Sequence, residues 1–156
     1  MRTLRIVAVL AATLLTGLAV SSPVQAAPIP FAADSGDQCR YGSTRGSLDW
    51  RLAGTPPRAV AVDVRGTLTD RPVPTDPGPA CPDDRRFSIA TFTVYAGNVV
   101  VDREAQRADN NVVSFGFVLG SNSTVARIDR LVIQVCRHSS TLPPSYCGRA
   151  VEYRAP

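Results

Sequence analysis

Apolar and polar residues alternate with a period of two through most of this chain, the signature of half-buried β-strands. In residues 47–52, Leu48, Trp50 and Leu52 share one face while Ser47, Asp49 and Arg51 share the other. Residues 59–68 repeat the pattern over a longer run, with Val60, Val62, Val64 and Leu68 set against Asp63, Arg65 and Thr67. An apolar face opposed to a charged one marks a strand covered on one side only, which belongs in an antiparallel sheet. Residues 87–95 are again β-rich, but their apolar positions change parity between Ile89 and Phe92. That change predicts a bulge or a strand crossing between sheets. After a turn at 96–98, residues 99–102 are the expected hairpin partner. Residues 111–119 put Val113, Phe115, Phe117 and Leu119 on one face, and 126–137 bury Leu131, Ile133 and Val135.

Between these runs the chain is punctuated. Gly54-Thr55-Pro56-Pro57 and Gly120-Ser121-Asn122-Ser123 read as turns, and the five prolines of 70–86 prevent regular pairing there. Asn122-Ser123-Thr124 matches a glycosylation acceptor and is read here as turn chemistry. The polar residues 103–110 are expected to form a loop, and 27–42, with Pro28 and Pro30, a loosely ordered lead-in. About seven strands at a spacing of ~8–15 residues, without an amphipathic helix, predict an all-β fold: a two-sheet antiparallel β-sandwich spanning residues 43–156.

The order of features resembles the immunoglobulin and fibronectin type III architectures: an early Trp50 as core anchor, a strong second strand, and a penultimate strand entering a terminal hairpin. The chain departs from antibody domains in having no cysteine within the second strand, so a disulfide across the sheets is not implied.

Composition adds a compartment. Arg2 and Arg5 precede an apolar run from Ile6 to Val20, and Val24-Gln25-Ala26 supplies the small residues of a cleavage site. Residues 1–26 are therefore expected to be a secretory signal peptide, leaving a soluble, secreted chain of domain size. The 17 basic residues are all Arg, a usage associated with GC-rich bacterial genomes. Without the signal segment 15 Arg face 13 acidic residues, a balance of +2, and the charges alternate in sign along the strands. That pattern describes solvated faces and gives no expectation of nucleic-acid binding, nor of membrane binding after cleavage.

Four cysteines in an exported chain predict two disulfides. Of three possible pairings the local one is Cys136–Cys147, leaving Cys39–Cys81. Loop-closure entropy gives these about 3 and about 4 kcal/mol. With one histidine and no Cys-x-x-Cys, zinc is not expected. The acidic loop carrying Asp76, Asp83 and Asp84 could in principle offer oxygens to calcium, but its spacing fits a solvated loop better.

No nucleophile elbow, phosphate loop or dinucleotide fingerprint is present, and the adjacent His138, Ser139 and Ser140 do not make a triad. The expectation is a non-catalytic protein without cofactor. Its best candidate site is the disulfide-closed loop 137–146, where His138, Ser140, Leu142, Pro143, Pro144 and Tyr146 would contact a partner. Stiffened by Pro143-Pro144, such a loop loses little entropy on binding an extracellular protein, glycan or cell-wall component. The run Thr141-Leu142-Pro143-Pro144 followed by Cys147 resembles the reactive loops of Bowman–Birk inhibitors, which would imply serine-protease inhibition. A third reading is a carrier of a small apolar ligand held between the sheets.

The terminal hairpin poses a register problem. With Cys136 and Cys147 directly opposed, Val132 faces Val151 and Gln134 faces Arg149, which turns Val151 and Tyr153 away from the core. A bulge near the cysteines, or an offset of one residue, would resolve the conflict.

Overall fold

The alternating runs become strands in the computed structural model, which describes residues 27–71, 81, 84–120, 127–139 and 146–156. The expected signal peptide 1–26 and the Asn122 turn lie outside the described residues, as do Asp76, Asp83 and loop residues Ser140, Leu142, Pro143 and Pro144. Among those described there are nine strands and no helix: β1 (Ile29–Asp34), β2 (Gly42–Ala53), β3 (Arg58–Asp70), β4 (Phe87–Ala96), β5 (Val99–Ala108), β6 (Val112–Leu119), β7 (Arg130–His138), β8 (Tyr146–Cys147) and β9 (Val151–Arg154). One sheet has the order β1-β2-β3-β6; the other has β5-β4-β7, with β8 and β9 both pairing with β7. Every pairing is antiparallel. Both predicted disulfides, Cys39–Cys81 and Cys136–Cys147, are formed, which is compatible with an extracellular location.

The two sheets share one core. Leu48, Trp50, Val62, Val64 and Leu68 from the first meet Phe92, Val94, Leu131, Ile133 and Val135 from the second, all without exposed surface. Its middle layer is built on a row across the first sheet in which Phe31, Gly46, Gly66 and Phe115 are register partners. The Phe31 ring lies over both glycines. A Cβ on Gly46 would come within 2.8 Å of that ring and one on Gly66 within 3.0 Å, so side chains are excluded where the ring sits. Phe92 of the facing sheet meets Phe31 at 5.9 Å between centroids and Phe115 and Phe117 each at 5.2 Å, all edge-on. Such edge-to-face contacts add to the burial of apolar area.

Four expectations need correction. Residues 29–34 are not a loose lead-in: they form β1, paired with β2 along its length. Pro30 is tolerated because it has the same parity as Ala32, whose N–H and C=O point away from β2, to the Tyr153 hydroxyl at 3.0 and 3.3 Å. The ladder therefore never calls on the amide hydrogen that Pro30 lacks. Residues 103–108 are not a loop but the second half of β5. Their polarity reflects an edge strand whose Asp102, Glu104 and Gln106 lie on the same face as Phe92. Polar groups facing inward at an edge discourage pairing with another chain. Asp102 accepts the Gly120 N–H at 2.9 Å, and Gln106 donates to Glu104 at 3.1 Å.

β4 does not change face: Ser88, Ala90, Phe92 and Val94 are buried, while Ile89 is only half-buried on the opposite side. The apolar Ile89 mimicked a parity change that the backbone does not make; the shift in pairing comes at Val94/Tyr95, opposite β5. In β3, a register shift against Arg51/Leu52 leaves Val60 half-buried and gives the core position to Ala59.

The hairpin conflict is resolved by a one-residue offset. Cys136 pairs with Cys147, but Ile133 pairs with Val151 and Leu131 with Tyr153. The extra residue falls in 148–150, where the Gly148 N–H donates to the Val135 C=O at 2.9 Å. This segment requires glycine: a Cβ on Gly148 would lie 1.8 Å from the Asp34 carbonyl oxygen. Val151 and Tyr153 thereby turn toward the core and pack against it.

Candidate functional site

The candidate loop is anchored by the residue that opens it. Leu131, Ile133 and Val135 point inward from β7, and Arg137 is the next residue of that parity. Its side chain is 1% exposed and closes one end of the space between the sheets. A buried guanidinium is stable only when its donors find acceptors. Arg137 pairs with the equally buried Asp70 carboxylate at the end of β3, donates through Nη1 to Ser88 Oγ at 2.8 Å, and through Nη2 to Asp84 at 2.5 Å and the Arg86 carbonyl at 3.3 Å. Asp70 in turn accepts the Ser88 hydroxyl at 2.7 Å and the Asn110 N–H at 2.8 Å. The Tyr41 ring lies 5.1 Å from the guanidinium carbon. Burial lowers the Arg137 pKa from its ordinary value, and the neighbouring Tyr146 opposes that shift.

One residue earlier and on the outer face, Cys136 is bonded to its register partner Cys147, with Cα atoms 4.0 Å apart. The disulfide therefore ties the two ends of the loop together, and the buried ion pair holds its first residue a second time. His138 stacks on Phe87 with centroids 5.7 Å apart and planes at 21°, and the Arg107 guanidinium lies 3.8 Å from the same Phe87 ring. Tyr146 is 37% exposed, with Arg86 at 5.9 Å from its ring. Its phenol pKa is raised, first by desolvation and then by Asp37, while Arg137 pulls it down. Of the six residues singled out in the sequence, His138 and Tyr146 are thus held at the base of the loop; the other four lie outside the described residues. Asp84, expected in a solvated acidic loop, is instead the partner of Arg137, and among the described residues no group of three potential metal ligands converges.

A second feature was not foreseen. A cleft of about 610 Å³ lies beside β1 and β2 and is lined by Arg40, Arg45 and Arg149, with Ser43, Thr69 and, as the one acid among the described residues, Asp34. The three arginines come from the β1–β2 connection, from β2 and from the offset after β8. In the sequence each stands isolated, so no local signal could group them. No family model, curated protein or solved structure matches the chain.

Proposed function

We propose that the chain is an exported, non-catalytic binding domain of immunoglobulin-like or fibronectin III-like sandwich architecture. It engages an extracellular protein, glycan or cell-wall component through the loop 137–146. The architectural part is supported by strand order: β2-β3-β6 facing β5-β4-β7-β9 parallels the A-B-E and C′-C-F-G sheets of such domains, with β1 added at one edge. The observation that carries the functional part is the double anchoring of the loop, by the Cys136–Cys147 bond and by the buried Arg137. A closed segment on a rigid base binds with little ordering cost, and Tyr146 and His138 offer aromatic surface at its two ends.

The test is retention of the purified domain on washed cell envelopes of the producing organism. The pair H138A/Y146A is expected to weaken retention about tenfold or more, the scale of losing two aromatic contacts. Unchanged retention by a variant with wild-type melting temperature would sink the assignment of this loop.

A further inference from the structure

We infer that the arginine-lined cleft is a second binding site, for a ligand carrying several oxyanion groups (carboxylate, sulfate or phosphate). The three guanidinium groups are mounted on backbone that is fixed in three different ways. Arg40 sits at φ 48° in a tight turn, its N–H donating to the Asp37 carbonyl at 3.1 Å, next to the Cys39–Cys81 bond. Arg45 stands on β2 opposite Ala32, and both residues line the cleft. Arg149 follows Gly148, which is packed against the Asp34 carbonyl. None of the three donates to a carboxylate among the described residues, whereas Arg51, Arg107, Arg130 and Arg154 have acidic partners at 2.6, 3.1, 3.0 and 2.9 Å. The one acid that lines the cleft among the described residues, Asp34, already accepts the Gly36 N–H at 2.9 Å.

Like charges brought to one cleft repel, and a multiply charged anion relieves that repulsion while taking up the planar guanidinium forks. Ser43 and Thr69, register partners on adjacent strands, add neutral donors to the same cleft. Among the described residues no aromatic side chain lines it, so nucleobases would find nothing there to stack on, which directs the inference to oxyanions borne by small acids or acidic glycans.

Calorimetric titration of the purified domain with citrate and, separately, with polygalacturonate tests this. Saturable binding that weakens with added salt is expected for at least one of them. Binding of citrate points to a small polyacid; binding of the polymer alone points to a chain of repeated carboxylates. The variant R45A/R149A should lose about tenfold or more in affinity, the scale of two charge-assisted contacts. The variant R58A/R154A, with the same change in net charge, should stay within about twofold of wild type, the scale of a rim charge. Absence of saturable binding to both probes, or an equal loss in the two variants, would overturn the inference.

Discussion

Arg137 and the three arginines of the cleft carry the same group into opposite environments. At Arg137 the guanidinium is enclosed and meets two carboxylates, a hydroxyl and a carbonyl. In the cleft Arg40, Arg45 and Arg149 are exposed, and none has a carboxylate partner among the described residues. Enclosure compels pairing with opposite charge because an uncompensated buried charge is costly, so Arg137 is committed to holding the fold together. Solvent removes that compulsion, and the charge of the cleft remains available to a ligand. Burial, more than residue type, separates the structural arginine from those offered to solvent.

The strongest way to break this contrast is Arg137→Leu. It strands Asp70 and Asp84, and unfolding by denaturant should show a loss of about 3–5 kcal/mol. In that background Asp70→Asn should cost less than it does alone, because the two groups share one network. Removing the covalent anchor instead, in C136S/C147S, should lower stability by about 3 kcal/mol, read as a lower midpoint of denaturant unfolding. A loss equal to that of Arg137→Leu would mean that the two anchors are equivalent.

An intermediate case is Arg51–Asp63, exposed but paired through two hydrogen bonds at 2.6 and 2.7 Å. The Asp63 pKa is lowered, chiefly by its hydrogen bond to Arg51. A depressed carboxylate pKa stabilises the fold above the unfolded value of about 3.9, and that stabilisation is lost as pH falls through the folded value. Asp63→Asn should therefore melt slightly below wild type at neutral pH, and the gap should narrow progressively in melts taken at pH values below the unfolded pKa of about 3.9. Smallest of all should be R45A/R149A, whose stability is expected to remain within about 0.5 kcal/mol of wild type. A larger loss would show that the cleft arginines, too, are structural.

Much of this was legible from alternation alone. The inward faces of β2 and β7, the long β3 and both disulfide pairings follow from period-two patterning and cysteine spacing, because a half-buried strand must segregate its residues. The offset in the terminal hairpin was legible as a contradiction, since Val151 and Tyr153 could not otherwise reach the core. β1 and the second half of β5 were not legible: they are edge strands, where proline and charge are tolerated and mimic loops. Arg137 did carry a signal, the continuation of Leu131, Ile133 and Val135 by one more odd position. That signal was masked because a charged residue beside a cysteine reads as the start of a loop. The cleft had none, since its arginines meet only through tertiary packing.

The Tyr153 hydroxyl that takes both polar groups of Ala32 has a kinetic consequence. The two residues are 121 apart in sequence, so the outer edge of β1 stays open until almost the whole chain has been threaded into place. Closing so long a loop is entropically slow and comes after most other pairings. Until then the nascent domain presents an unpaired strand edge, and its window of vulnerability to association with other copies ends when one phenol docks.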